Sequence, residues 1–273
     1  SKISDFPFVA SNIFYDNSRE HVFKPYTIVN IDGVQIGIIG VVSSDMKNIV
    51  LKKNIDGIYF TSEIEAVNKY ANELKNQNVD IVIVLSSLGI PWQREKVYNK
   101  FIELKDQVSD NSDDGSIYRE YIKENDQTLD RDYDFNSLVL GYYTKEVDFI
   151  ISGGISKGYR IPWYDKNNHT YIFQNYGNGT EFGHFKMRYD INEHNFLGYE
   201  NVVSNSITQT LFIDDFNFDK VQYNWIQDKI ENSLNQIYKS PDWSSVNYGD
   251  RGSNVTNSNL TSNWDVPNID TDK

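Results

Sequence analysis

Short, almost wholly apolar runs alternate along the chain with longer stretches whose apolar residues recur every three or four positions. Residues 26–42 read Tyr-Thr-Ile-Val-Asn-Ile-Asp-Gly-Val-Gln-Ile-Gly-Ile-Ile-Gly-Val-Val. Asp32-Gly33 between two β-branched runs predicts a tight hairpin, because that turn needs positive φ. The second run, Val34 to Val42, is nearly continuous in its apolarity, as expected of a strand covered on both faces. Residues 62–77 switch to helical spacing: Ser62 and Glu65 make a capping box ahead of the stripe Ile64, Val67, Ala71 and Leu74. Val79–Leu85 reads as a second buried strand ending in Ser86-Ser87-Leu88-Gly89, and Val97, Phe101 and Leu104 predict a helix over 93–107. Val147–Ile151 is a third buried strand, ending in Ser152-Gly153-Gly154. Strands separated by helices predict a layered α/β sheet.

Further on, Tyr171–Tyr176 and Gly183–Tyr189 read as two antiparallel strands joined by a turn at Gly177-Asn178-Gly179. A last helix over 218–238 places Phe218, Val221, Trp225, Ile230, Leu234 and Ile237 on one face. Beyond Pro241 the chain turns to Ser, Asn, Asp and Gly with scattered Trp, which predicts an extended tail that docks on a neighbour. The expected organisation is a domain over 1–213, a linker-type helix over 214–240 and a tail over 241–273. Residues 106–134 stand apart, with ten acidic side chains against three basic ones. Asp110-x-Ser112-x-Asp114-Gly115 imitates the start of a calcium loop, but Tyr121 stands where the bidentate Glu belongs. The segment is therefore read as a solvated acidic insertion.

Composition narrows the function classes. The 273 residues carry a net charge of −13, which argues against a nucleic-acid polymer as partner and against anionic lipid. No apolar run approaches the roughly 20 residues of a membrane-spanning helix. Cysteine is absent, which removes disulfides, thiol nucleophiles and thiolate metal sites together. The chain opens on Ser1 with no leader-like basic and apolar stretch, so it is read as beginning after a cut. Sequons at Asn168, Asn178, Asn254 and Asn259 are candidate glycosylation sites or ordinary loop asparagines.

Sites in α/β sheets form at the carboxyl ends of the strands, and there the residues carry a resemblance. Phe6–Ile13, Lys24-Pro25-Tyr26, Asp32–Gly40, Val79–Gly89, Val147–Gly154, and Gln174–Gly177 with Phe182-Gly183-His184 follow one another in order. Over residues 6–190 the chain resembles the second half of the catalytic domain of the 5′-nucleotidase family of calcineurin-like metallophosphoesterases. The helix at 218–238 is similar to that family's connection to its C-terminal domain. The resemblance implies the C-terminal half of a four-layer α/β/β/α sandwich. It also implies chemistry with two zinc- or manganese-like ions that activate water against a phosphate ester. In the family the block at 85–89 reads Leu-Ser-His-Leu-Gly and the block from 153 reads Gly-Gly-His-Ser-His-Thr. Here Ser87, Ile155 and Lys157 stand where those imidazoles belong. A hydroxyl is a weak ligand, an isoleucine is none, and an ammonium repels a cation.

The expectation is a degenerate, non-catalytic protein with no catalytic residues and no metal, acting as a structural or interaction subunit. A protein partner, or an upstream fragment of the same precursor, is expected to complete its sheets, and its place is expected to be extracytoplasmic. Two alternatives stay open. One is an active phosphoesterase with two divalent ions, completed by a separate N-terminal half. The other is a phosphate- or nucleotide-binding module using Gly153, Gly154 and Lys157.

Overall fold

The computed structural model describes residues 6–124, 135–154, 157–177, 179–202, 206–210 and 220–239. The chain divides into two compact units, Ser1–Ile213 and Asp214–Lys273. The first unit begins with β1 (Ile13–Tyr15), β2 (Tyr26–Ile31), β3 (Val34–Val41), α1 (Met46–Ile49), β4 (Ile58–Phe60), α2 (Glu63–Asn76) and β5 (Ile81–Ser86). It continues through α3 (Arg94–Gln107), α4 (Ser116–Glu124), α5 (Ser137–Tyr143), β6 (Phe149–Ser152), β7 (Trp163–Asp165) and β8 (Thr170–Gln174). It closes with β9 (Glu181–Gly183), β10 (Phe185–Asp190), β11 (Asn195–Asn201) and β12 (Thr208–Thr210). The second unit contributes α6 (Lys220–Lys239); Phe218 and the tail lie outside the described residues.

The central sheet has the order β2-β3-β5-β6-β8-β7. Its four inner strands run parallel, with β2 and β7 antiparallel at the two edges. The predicted hairpin joins β2 to β3, with Asp32 at φ 52° and Gly33 at φ 91°. Helix α2 starts where the capping box places it, the Ser62 hydroxyl accepting from the Glu65 amide at 3.4 Å. On this face of the sheet Ile39, Val41, Val82, Val84, Ile150 and Ile172 pack against Leu74, Phe101, Leu138 and Leu140 of the helices. The opposite face buries Ile36, Ile81, Ile83, Phe149 and Phe173 under Phe185, Met187, Phe196 and Tyr199 of the β10–β11 hairpin. Phe173 and Phe185 stack at 4.3 Å, nearly parallel.

Two expectations are corrected. Residues 171–176 and 183–189 do not pair with each other. β8 lies inside the main sheet between β6 and β7, β9 pairs with β12, and β10 pairs with β11. The reason is burial: Thr170, Ile172, Phe173 and Gln174 of β8 are all buried, the signature of an inner parallel strand. Nor are residues 110–124 a solvated loop. Asp110 and Tyr118 are both 1% exposed. The imitation calcium loop is a helix start, with the Asp114 carboxylate accepting from the Ser116 amide at 3.0 Å. Residues 125–134 lie outside the described residues.

Candidate functional site at the carboxyl ends of the strands

The ends of β3, β5, β6 and β8 converge on the loops that carry Ser87, Gly153-Gly154 and Lys157. Ser86 at the end of β5 shares a buried hydroxyl chain with Ser137 (3.1 Å) and Ser152 (2.8 Å). Asn136, which accepts from the Leu138 amide at 2.9 Å, caps α5 and places Ser137 in that chain. The Ser87 hydroxyl accepts from the Ser43 amide at 2.9 Å, tying the β5 loop to the β3 loop. The Gly153 amide donates to the Ser86 carbonyl at 2.8 Å. Gly154 has φ +100°, and a Cβ there would meet the Ser87 carbonyl at 2.3 Å, so glycine is required for this close approach. Ser87 and Gly153-Gly154 are thus brought together, backbone against backbone.

Lys157 sits differently. Its ammonium lies 4.9 Å from the Trp92 ring centroid, 5.5 Å from Tyr159 and 5.6 Å from Tyr176. It also lies 3.3 Å from the Tyr176 hydroxyl. Each ring face attracts the cation by about 0.5–2 kcal/mol, depending on desolvation. Gln174, buried at the end of β8, holds the surrounding loops: it accepts from the Ile90 amide (2.7 Å) and donates to the Lys157 carbonyl (2.6 Å). Gln174 and Tyr176 stand in one of the blocks that carry the resemblance, but the holding role of Gln174 and the rings of Trp92 and Tyr159 are not read from the sequence. A lone amide closing the apolar run Tyr171–Phe173 was the available signal for Gln174. A cavity of about 310 Å³ opens between these loops, lined by Ser152, Gly153, Gly154, Asn175, Tyr176 and Phe185 among others.

The four histidines are elsewhere. His21 meets the Tyr70 hydroxyl, His169 that of Tyr164, His184 the Gln209 amide and His194 the Asp80 carboxylate. Burial, with Lys69 adding to it, pushes the His21 pKa down. Asp80 and Asp148 work at the amino ends of the strands, accepting from the Gln35 amide at 2.7 Å and the Val82 amide at 2.8 Å. Burial pushes the Asp148 carboxyl up, with Lys75 opposing it. Asn168 donates to the carbonyls of Gly141 (3.1 Å) and Tyr142 (2.6 Å), closing the end of α5. Ile155, Asn178, Asn254 and Asn259 lie outside the described residues.

No family model matches the chain. A cell wall protein of Listeria monocytogenes is 39% identical over 85 residues, 30% of this chain and 11% of that protein. An endonuclease of Bacillus subtilis is 26% identical over 171 residues, 60% of this chain and 14% of that protein. A 5′-nucleotidase of Vibrio cholerae is 30% identical over 87 residues, 32% of this chain and 16% of that protein. The matched stretches therefore span less than a fifth of these much longer relatives. Among solved structures, a 5′-nucleotidase precursor from Thermus thermophilus superposes with a TM-score of 0.57 at 16% identity, over 85% of this chain and 39% of that one. A calcineurin-like phosphoesterase from Bacillus subtilis superposes with a TM-score of 0.52 at 19% identity, over 86% and 65%. The fold is that of the 5′-nucleotidase-like phosphoesterases. The chain corresponds to the C-terminal portion of that fold, and the loops described above are the carboxyl-end loops of its sheet.

Proposed function

We propose that this chain is a non-catalytic, phosphoesterase-like partial domain that serves as a structural or interaction subunit outside the cytoplasm. The observation that carries the reading is the condition of the two degenerate ligand positions among the described residues. Ser87 has its hydroxyl on the Ser43 amide, and Lys157 places a fixed positive charge among three rings. A two-metal hydrolase needs imidazole and carboxylate groups converging on both ions. This donor set does not fit a divalent pair, and no step through metal is derived for it. Among the described residues no three His, Asp or Glu side chains converge as ligands.

The open part of the sheet supports the partner. Val29 and Ile31 stand opposite Ile36 and Val34 in the β2–β3 ladder, so they share the hairpin-covered face. Leu85 and Ile151 are register partners of Gly40 and Phe173 on that same face. Among the described residues two parts of this face remain open: Ile31 (55% exposed) at the β2 edge, and Leu85 (41%) with Ile151 (39%) at the carboxyl ends of the inner strands. Apolar positions left open beside a covered sheet core fit a further layer supplied by another segment or subunit. The name of the Listeria relative supports a place at the cell surface. A net charge of −13 keeps nucleic acid out of the proposal, although one relative is named an endonuclease. The phosphate-binding alternative has less support, because the Gly153 amide is already donated to Ser86.

Elemental analysis of the purified chain, paired with p-nitrophenyl phosphate hydrolysis in added manganese, tests the reading. Substoichiometric metal and background hydrolysis are expected. Two zinc or manganese ions per chain, or robust turnover, would favour the active phosphoesterase and overturn it.

A further inference from the structure

A cleft of about 680 Å³ lies at the opposite end of the sheet from Ser87. It is formed by the loops entering β5 and β6, the β7–β8 turn and the β10–β11 turn. Its volume falls within the range of small-molecule sites, about 300–1,000 Å³. Three residues that line it, Glu146, His169 and His194, have left-handed backbones at φ 60°, 59° and 48°. None is glycine, and side chains other than glycine enter that region only where surrounding structure holds them.

Most polar groups of the cleft already have partners within the protein, Asp80 accepting from the Gln35 amide at 2.7 Å and the Tyr189 hydroxyl at 2.6 Å. Lys75 lies 3.5 Å from Asp148, His194 lies 3.2 Å from Asp80, and Lys145 lies 3.1 Å from Asp113. The Nδ1 atoms of His169 and His194 are held by Tyr164 and Asp80, which leaves the Nε2 edges of both rings for a ligand. Asn167 and Asn195 add amides that donate and accept. The Tyr164 ring is partly exposed, lies 4.7 Å from the Tyr171 ring and 6.1 Å from that of His169, and its exposed part offers an aromatic surface to the cleft.

We infer that this cleft binds a neutral, hydroxyl-rich ligand of the saccharide class. A tyrosine face suits the apolar side of a pyranose, and a ring of mixed donors and acceptors suits its hydroxyls. An anion would meet Asp80, Glu146 and Asp148 on a chain of net charge −13. A divalent cation would lack three converging ligands. The inference is independent of the metal and phosphoesterase question.

Titration of the isotope-labelled full chain by NMR tests it. The probes are cellotriose, maltotriose and tri-N-acetylchitotriose, with putrescine and inorganic phosphate as charged controls. Saturable shifts are expected for at least one sugar in the amides of 145–148, 166–171 and 194–198. Tyr164→Ala and Asn195→Ala should each weaken that binding about tenfold or more, equivalent to about 1.4 kcal/mol. Asn195 is the exposed first residue of β11, so its variant should keep the parent melting temperature and remain informative if Tyr164→Ala unfolds. Three outcomes overturn the inference: no saturable shift with any sugar, unchanged binding in Asn195→Ala, or occupation of the cleft by putrescine or phosphate instead.

Discussion

Replacing Asp110 with alanine should disconnect the corner where α3, α4 and α5 meet. Its carboxylate accepts from the Ser112 amide (2.9 Å) and hydroxyl through one oxygen. The other oxygen accepts from the Tyr118 amide (2.9 Å) and the Tyr143 hydroxyl (3.1 Å). Both tyrosines pack edge-on against Phe101, at 4.9 and 5.9 Å, so the carboxylate sits behind an aromatic cluster. The alanine variant leaves two backbone amides and a phenol without an acceptor, each unsatisfied buried donor costing about 1–3 kcal/mol. Partial relaxation and entering water reduce the sum, and the expected loss is about 3–5 kcal/mol. At about 2–4 °C per kcal/mol for a unit of this size, the midpoint should fall by about 10 °C. Asp110→Asn keeps the shape and one acceptor oxygen, and should lose about 1–2 kcal/mol. Burial alone would raise the Asp110 pKa, but the hydrogen bonds from Ser112, Tyr118 and Tyr143 outweigh it and hold the pKa below the ordinary carboxylate range. A depressed folded pKa means the stabilisation is present above the unfolded value, near ~4, and fades as pH falls through the lower folded value. The parent should therefore show a steeper acid-limb slope in urea melts than Asp110→Asn, which keeps only the part due to the other depressed carboxylates such as Asp80 and Asp114. If Asp110→Ala stays within about 1 kcal/mol of the parent at neutral pH, the buried-acceptor reasoning is wrong.

Other expectations are briefer. A Cβ on Gly40 would meet the Val9 carbonyl oxygen at 2.0 Å, so Gly40→Ala should cost about 2–3 kcal/mol in a thermal melt by displacing the 9–11 segment from β3. Asn168→Ala should cost about 1–2 kcal/mol through the freed carbonyls of Gly141 and Tyr142. Because that amide is already held, glycopeptide mapping after expression in a glycosylating host should find Asn168 unmodified. The chain alone should self-associate at micromolar concentration in sedimentation, and Leu85→Lys with Ile151→Lys should return it to monomer without lowering its melting temperature, since both positions are exposed.

The elements that could be read directly were those whose information is local. The β2–β3 hairpin rests on two adjacent turn residues, and the start of α2 on a capping box four residues long. Strands β5 and β6 show as apolar runs because both their faces are covered. Helix α5 did not show, because Leu138, Val139, Leu140 and Tyr143 are buried around its whole circumference and no apolar stripe distinguishes it from a strand. Helix α4 does keep a stripe, with Tyr118, Tyr121 and Ile122 on the core and Ile117 and Glu120 exposed, but the density of acidic residues around it reads as a solvated insertion. Strand β7 is three residues long, too short for any alternation, so β8 was left to find a partner further along the chain.

The site shows the same division between identity and role. That Ser87 and Lys157 are not imidazoles is plain from the sequence, but what they do instead depends on distant residues. The hydroxyl chain joins Ser86, Ser137 and Ser152, on one strand, one helix and another strand. The enclosure of Lys157 takes Trp92 from the loop after β5, Tyr159 from its own loop and Tyr176 from the end of β8. A lysine placed in an otherwise unaltered metal site would turn its ammonium out to water, since its stem is long and flexible. Here three rings and a phenolic oxygen receive it, and Gln174 fixes the backbone that presents it. On the proposed reading, Lys157→His alone would therefore leave the surrounding rings and a Gln-anchored loop in place. A histidine at 157 would then still face three rings rather than other imidazoles and carboxylates, so this single substitution is expected to create no metal site.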